Sequence, residues 1–190
     1  VKIDSIPMVQ RVWMQAINSK VGDVFVACSE TEVYDLIINL GGKAILTDPN
    51  LPSGTDRVYS AFKQISNFSE IDCIINLQGD MPNIDPESIK MLANYMSKNV
   101  CDIATLASNF ENELEIRNPN NVKVQTDNLL KNNQFGRCID FFRNEENSRT
   151  KYIYHHIGIY AFTKEALLRY VSLEQTKKEL SRNLEQLRAL

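Results

Sequence analysis

Residues 73–82 read Cys-Ile-Ile-Asn-Leu-Gln-Gly-Asp-Met-Pro, an apolar run that ends in a polar turn containing glycine. The run predicts a short buried strand, with Gln78, Gly79 and Asp80 at its carboxyl end. Open α/β proteins bind their ligands at that edge of the sheet. A lone carboxylate there suits a hard cation such as Mg²⁺ that carries phosphate oxygens. An ordinary strand-to-helix loop uses the same residue types, so this stretch alone leaves both interpretations open.

Around this stretch, the first hundred residues alternate predicted strands and helices. The strands are predicted at 24–28, 43–47 and 72–77, and residues with helical apolar spacing lie between them. Ser29 and Glu32 predict a capping box for the second helix. This alternation is typical of a parallel sheet covered on both faces, hence of an α/β fold. From Asp102 to Phe162 β-like segments dominate, which favours a mixed or antiparallel section, and helices return at 164–170 and 177–190.

Length and composition exclude several classes of protein. The chain has 190 residues, a net charge of −3 and no basic tract, which argues against nucleic-acid binding. No apolar run reaches the length of a membrane span, and no signal peptide opens the chain, so we expect no membrane partner. The widely spaced cysteines predict reduced core thiols and a cytoplasmic protein. They are Cys28, Cys73, Cys101 and Cys138.

A second polar motif precedes the central one. Residues 52–57 read Pro-Ser-Gly-Thr-Asp-Arg and lie at a predicted strand-to-helix junction. Hydroxyls, a glycine and an arginine at a helix N-terminus can meet a phosphate or a polar ring. The alternative is plain helix capping by Thr55 with a solvent-facing Arg57. Both motifs follow neighbouring strands, so we expect them to face one crevice.

Further motifs follow in a fixed order. They are Asn118 to Val124, Phe135-Gly136-Arg137, His156-Ile157-Gly158-Ile159-Tyr160 and Leu184-Glu185-Gln186-Leu187-Arg188. Together with the first two motifs, this order resembles the 3-deoxy-manno-octulosonate (Kdo) cytidylyltransferases, the CMP-Kdo synthetases of lipopolysaccharide biosynthesis. The resemblance runs from Val1 to Leu190.

The resemblance implies a fold. It is a three-layer, Rossmann-like α/β nucleotidyltransferase domain with a mostly parallel sheet, formed as a single domain by residues 1–190. A β-rich excursion over 102–162 would cover the sugar site and serve dimerisation. The resemblance also implies an N-terminal phosphate loop and a C-terminal metal-binding Asp outside this sequence. It further implies a homodimer, which would bury apolar strand residues expected to be exposed, namely Ile153, Ile157, Ile159 and Phe162.

The resemblance also implies a reaction, in which the anomeric hydroxyl of a sugar acid attacks the α-phosphorus of CTP and releases pyrophosphate. Charge neutralisation and positioning dominate such chemistry. Asp80 would hold Mg²⁺, and Gln78 would contact a substrate beside it. The cytosine and ribose would be lined by Ser53, Gly54, Thr55 and Arg57.

A second set of residues would bind the sugar acid. The forked guanidinium of Arg137 suits a carboxylate. His156 and Tyr160 are four residues apart in a predicted strand, so they share one face. Glu185 and Gln186 would bind sugar hydroxyls. Without the resemblance, the pattern favours a packed strand histidine for His156, and the Glu-Gln pair is typical of a solvated helix face. Lys123 is interpreted as scaffolding.

Two alternatives stay open. One is a CMP-sialic acid synthetase or another sugar nucleotidyltransferase, which shares the chemistry. The other is a catalytically inactive homologue that acts as a binding module. Met81 stands where the family has Glu, and Ser5-Ile6 stands where it has Gly-Lys, and these departures motivate the second alternative.

Overall fold

The computed structural model describes residues 1–66, 70–98, 101–132, 134–144 and 152–190. The strands are β1 (Lys2–Ile3), β2 (Ile6–Pro7), β3 (Phe25–Cys28), β4 (Lys43–Leu46), β5 (Cys73–Leu77), β6 (Ile103–Ser108), β7 (Lys123–Thr126), β8 (Cys138–Phe142) and β9 (Ile153–Thr163). The α-helices are α1 (Met8–Ser19), α2 (Thr31–Asn39), α3 (Gly54–Phe62), α4 (Pro86–Lys98), α5 (Glu113–Arg117), α6 (Lys164–Ser172) and α7 (Lys177–Arg182), and a 3₁₀ helix spans Glu185–Ala189.

The chain divides into two compact units. The first comprises residues 1–104 and 159–171, and the second comprises residues 105–158 and 172–190. Most of the β-rich section predicted over 102–162 therefore falls in the second unit. The expectation that 1–190 acts as one domain, with 102–162 as its lid, stays a prediction.

The first unit contains the alternating strands and helices. β3 and β4 pair in parallel, from Phe25 opposite Lys43 to Cys28 opposite Leu46, and α2 connects them to form a βαβ unit. β5 pairs antiparallel with the second half of β9, with Leu77 opposite Ile159. The core of the unit is built from Phe62, Tyr160, Phe162, Leu167 and Tyr170.

The second unit is organised around β7. This strand pairs antiparallel with β8 on one side and with the first half of β9 on the other, and β6 also pairs with β9. A separate core forms beneath it from Val124, Phe141, Tyr154, Leu184 and Leu187. The structure confirms the α/β class and the β-rich section.

Two local predictions were wrong. Ser29 does not cap α2: the helix begins at Thr31, its N-cap is Glu30, and no side chain caps it. The helix predicted over 177–190 is interrupted, because Asn183 adopts a left-handed conformation with φ of 51°. Asn is among the few residues that tolerate this conformation, so α7 ends there and a 3₁₀ turn follows.

The expected exposed apolar surface is only partly present. Ile159 and Phe162 are 0% and 2% exposed, because one lies opposite β5 and the other lies in the first core. Only Ile153 and Ile157 stay half-buried. The expectation of four exposed residues was therefore wrong, and the homodimer remains a prediction. Within the described residues, no helix is long and apolar enough to cross a bilayer.

All four cysteines are free thiols. Cys28 is buried as expected, whereas Cys73 is exposed at the start of β5, which corrects its assignment to the core. Burial raises the pKa of the Cys138 thiol to about 11. Such a thiol stays protonated at neutral pH and is a poor nucleophile.

Candidate functional site

The Ser-Gly-Thr-Asp-Arg motif forms the start of α3. Ser53 is the N-cap residue, and its hydroxyl oxygen accepts the backbone N–H of Asp56 at 3.2 Å and donates to the Asp56 carboxylate at 2.6 Å. A side chain therefore caps the helix, but the N-cap is Ser53 and not Thr55, because the helix already begins at Gly54. Thr55 is 1% exposed and points inward. The cap therefore holds the backbone of this motif in place. A ligand that binds to backbone groups requires such a fixed backbone.

The structure brings the two central motifs into contact. A Cβ atom placed on Gly54 would lie 2.9 Å from Nε2, 3.0 Å from Oε1 and 3.4 Å from Cδ of Gln78. The carboxamide of Gln78 therefore lies directly on the glycine, at the point where β5 ends and α3 begins. Only glycine allows this approach, because any side chain at position 54 would displace the amide.

A chain of neutral hydrogen bonds supports this contact. Nε2 of Gln78 donates to Oδ1 of Asn76 at 3.4 Å, and Nδ2 of Asn76 donates to Oγ1 of Thr55 at 3.2 Å. Asn76 is 2% exposed and lies within β5. Sequence reasoning did not single out Asn76, although it precedes the Gln-Gly-Asp turn by two residues and so shares a strand face with Gln78.

Arg57 connects the start of α3 to the ends of two strands. One guanidinium nitrogen donates to Oγ1 of Thr47 at 2.6 Å and to the carbonyl of Asp48 at 3.3 Å. Thr47 in turn donates its hydroxyl to the carbonyl of Cys28 at the end of β3. Arg57 is half-buried, so its predicted solvent-facing alternative does not apply. Its contact with a nucleotide stays a prediction.

Asp80 lies exposed in the turn after β5. The backbone N–H of Met81 closes this turn on the carbonyl of Gln78 at 3.3 Å. Within the described part of the chain, no three His, Cys, Asp or Glu side chains gather as a metal cage. Mg²⁺ is usually bound by one or two carboxylates together with substrate phosphates. A single accessible carboxylate therefore fits a Mg²⁺ ion that arrives with a nucleotide.

Tyr160 lies in the core of the first unit. It is 7% exposed and packs beside Phe162, with ring centroids 6.3 Å apart. The structure therefore gives this tyrosine a packing role, and its predicted contact with a sugar acid stays a prediction.

His156 lies in the second unit as a buried, neutral histidine. Its Nε2 lies 2.9 Å from Oγ1 of Thr105, and its ring meets Phe141 edge-on at 5.0 Å. Burial, and then the neighbouring His155, lowers the pKa of His156 to about 3. His155 stacks on Phe110 instead, which is consistent with the opposite strand face. An uncharged imidazole can hydrogen-bond to a sugar hydroxyl but offers a carboxylate no opposite charge.

Arg137 is exposed just before β8. Its carbonyl accepts the backbone N–H of Asp127 at 3.2 Å, which fixes the main chain and leaves the guanidinium at the surface. The preceding Gly136 is closely packed, since a Cβ there would lie 2.5 Å from Cδ2 of Leu130. A long, exposed arginine on a fixed backbone is suited to an anionic ligand.

Glu185 and Gln186 lie in the final 3₁₀ helix. Glu185 is half-buried and Gln186 is 8% exposed, so the alternative of a solvated helix face is wrong for Gln186. Leu184 and Leu187, on either side, are anchored in the second core. The backbone of the pair is therefore fixed, while its binding role stays a prediction.

Buried charges beneath this segment were missed by sequence reasoning. Arg188 and Glu179 form a forked ion pair with a closest distance of 2.6 Å, and their side chains are 3% and 4% exposed. Burial alone would raise the pKa of Glu179, but hydrogen bonds, foremost from Arg188, lower it below its ordinary value. Glu179 also completes a capping box with Thr176. No local sequence pattern indicates this ion pair, because Glu179 and Arg188 are nine residues apart and the helix ends between them.

Asp140 carries a second buried charge. Its carboxylate accepts from Lys178 at 2.6 Å and from Arg182 at 2.9 Å. Burial alone would raise its pKa, but the hydrogen bonds from these two cations lower it below its ordinary value. Lys123, at 0% exposure, donates to three backbone carbonyls, which confirms its interpretation as scaffolding. The three carbonyls belong to Asn118, Asn121 and Arg143.

The sequence profile described as Cytidylyltransferase matches residues 1–190. The chain belongs to the cytidylyltransferase family. Among its relatives, the 3-deoxy-manno-octulosonate cytidylyltransferase of Paramagnetospirillum magneticum is 41% identical over 184 residues, which is 97% of this chain and 74% of that protein. The protein of the same name from Rickettsia typhi is 39% identical over 188 residues, or 99% of this chain and 75% of its own length.

Solved structures with a similar fold include other cytidyl-group synthetases. A CMP:2-keto-3-deoxy-manno-octonic acid synthetase complexed with CTP superposes with a TM-score of 0.84 at 31% identity, over 99% of this chain and 76% of that one. A 4-diphosphocytidyl-2C-methyl-D-erythritol synthase from Anaerococcus prevotii has a TM-score of 0.57 at 13% identity, over 98% of this chain and 77% of that one. The second likeness concerns the fold alone.

Proposed function

We propose that this cytidylyltransferase makes CMP-Kdo and pyrophosphate from CTP and Kdo, for lipopolysaccharide biosynthesis. The observation that carries the proposal is the contact between Gly54 and Gln78, which unites the two motifs of the predicted nucleotide site. The names of the relatives support the choice of Kdo, and the CTP complex of the similar structure supports the choice of nucleotide.

On this proposal, the first unit holds the nucleotide. Ser53, Gly54, Thr55 and Arg57 would line the cytosine and ribose, largely through the capped backbone at the start of α3. Gln78 would contact a substrate at the carboxyl end of β5. Asp80 would hold a Mg²⁺ ion on the triphosphate. Mg²⁺ bound there supplies positive charge to the phosphate oxygens.

The second unit would supply the groups for the sugar acid. The exposed guanidinium of Arg137 would pair with its carboxylate. Neutral His156, with Glu185 and Gln186, would orient hydroxyls. Because phosphoryl-type transfer depends on placement, the fixed backbone around these residues supports the assignment.

We also propose that the enzyme is a cytoplasmic homodimer. Four free thiols fit a reducing compartment. The half-buried Ile153 and Ile157 fit a modest contact with a second copy. Light scattering should report twice the mass of one chain, and a monomer at micromolar concentration would contradict the dimer.

The reaction is tested by following pyrophosphate release from the purified protein with CTP, Kdo and Mg²⁺. Release should require all three components and should cease when EDTA removes the metal. Release with sialic acid but not with Kdo would replace the substrate and keep the reaction class. No release with either sugar acid would contradict the enzyme and favour the inactive homologue suggested by Met81.

A further inference from the structure

We infer that Asn76 and Gly54 are positioning residues that hold the carboxamide of Gln78 in one orientation toward the substrate. The inference rests on the proposed function, because it takes Gln78 as a substrate contact. It adds a role for Asn76, which is buried within β5 and touches no predicted ligand directly.

The direction of the hydrogen-bond chain defines the orientation. Thr55 Oγ1 accepts from Nδ2 of Asn76, so Asn76 presents Oδ1 to Gln78. That oxygen accepts from Nε2 of Gln78. A carboxamide has two distinct ends, one donating and one accepting. With its nitrogen turned to Asn76, Gln78 offers Oε1 as the acceptor for a hydroxyl or amino group of the substrate.

Gly54 makes a second close contact with the Gln78 carboxamide. All three closest atoms to a Cβ at position 54 belong to the Gln78 carboxamide, at 2.9, 3.0 and 3.4 Å. The amide therefore contacts both Gly54 and the buried Asn76. The Asn76–Thr55 hydrogen bond and the Ser53 cap hold these two residues in place. A long glutamine side chain at the end of a strand would otherwise sample several rotamers.

A double-mutant cycle tests whether Asn76 and Gly54 act through Gln78. Gly54→Ala and Asn76→Ala are each made in the wild type and in the Gln78→Ala background, and kcat and KM are measured for both substrates. A displaced contact group costs about tenfold or more in kcat/KM. We therefore expect that loss for both changes in the wild type, and less than about a twofold change for Asn76→Ala once Gln78 is absent. Gly54→Ala should lose less there than in the wild type, because Gly54 also lines the predicted nucleotide site. Gly22→Ala is the matched control, since a Cβ there meets nothing within 4 Å.

Equal losses in both backgrounds would overturn the inference, because Gly54 and Asn76 would then act without Gln78. Thermal melting separates this result from misfolding. If Asn76→Ala does not fold, Gly54→Ala alone decides the cycle, since its Cβ would displace the same amide.

A second readout does not need the reaction. In ¹⁵N relaxation measurements, the side-chain NH₂ of Gln78 should be ordered in the wild type and mobile in Asn76→Ala. Equal mobility in both proteins would overturn the inference. An ordered amide in a protein that releases no pyrophosphate would contradict the proposed function and leave the positioning of Gln78 standing.

Discussion

The two units bury polar groups in different ways. At the end of β5 in the first unit, the buried groups are neutral amides and hydroxyls, and the carboxylate of Asp80 stays in solvent. In the second unit, full charges are buried, and Glu179 and Asp140 each meet cationic partners. A buried charge that is already paired stabilises one conformation. Because the network beside Asp80 is neutral, the charge of the exposed carboxylate remains available to a ligand. The comparison supports our proposal that the first arrangement binds the nucleotide, and it favours a scaffolding role for the second.

The largest expected effect concerns the free carboxylate. Asp80→Asn keeps the shape of the side chain and removes the charge for Mg²⁺, so kcat should fall about 100-fold or more. The free energy of unfolding should hardly change, because Asp80 is exposed. Asp35→Asn, an exposed change of the same kind on α2, is the control for both measurements. If Asp80→Asn lowered stability as strongly as activity, Asp80 would have a structural role. The proposed difference between the accessible carboxylate of the first unit and the paired charges of the second would then be wrong.

The next effect concerns the buried ion pair. Arg188→Met leaves Glu179 charged and unpaired, which should cost about 3–5 kcal/mol of unfolding free energy in urea titrations. Combining it with Glu179→Leu should cost less than the sum of the two single changes, since no lone charge remains. If each single change lowered the unfolding free energy by less than about 1 kcal/mol, the ion pair would not be needed to stabilise the fold.

A pH dependence separates the buried histidine from the carboxylates. The folded pKa of His156 is about 3, below its ordinary 6.5, so only the unfolded state binds its proton between these values. Stability should therefore fall as pH drops below about 6.5. The lowered pKa values of Asp140 and Glu179 add further loss only below their ordinary values of 3.8 and 4.5.

Urea midpoints between pH 7.5 and 5 measure this dependence. His156→Gln should flatten the decline in that range, because glutamine does not titrate. His155→Gln, beside it and only half-buried, should leave more of the decline in place. A decline that is identical in wild type and His156→Gln would show that the imidazole is not the group responsible.

The smallest effect concerns the helix cap in the neutral region. Ser53→Ala removes the hydroxyl that accepts the Asp56 N–H and should cost about 1 kcal/mol of stability. We expect the KM for CTP to change less than about threefold, since both hydrogen bonds of this hydroxyl go to Asp56. A much larger rise in KM without loss of stability would show that the Ser53 hydroxyl itself binds the nucleotide.

The sequence predicted the elements that depend on local pattern. Apolar periodicity located α2, α3, β3 and β5, and the order of the motifs led to the family. The structure places the residues of the first two motifs at the start of α3 and the end of β5, as expected. The Gly54–Gln78 contact was expected only as a shared crevice, and the structure shows it as direct contact.

The remaining features depend on distant partners. The Glu179–Arg188 pair requires the turn at Asn183, a single residue in a left-handed conformation inside a stretch with helical propensity. Ser29 failed as a cap because the chain stays extended for one residue more and α2 begins at Thr31. Ile159 and Phe162 were expected to be exposed because β5, the strand that pairs with both of them, lies about 85 residues earlier in the chain. Long-range packing decides such cases, and local propensity does not.

Hydrogen–deuterium exchange with and without CTP and Mg²⁺ tests the central claim most directly. The account predicts slower exchange at the start of α3, residues 53–57, and in the turn at residues 78–80, with Asp80→Asn reducing both effects. The paired segment from 177 to 188 should change little with CTP alone. Protection confined to that segment, with none at 53–57 or 78–80, would contradict the assignment of nucleotide binding to the neutral end of β5.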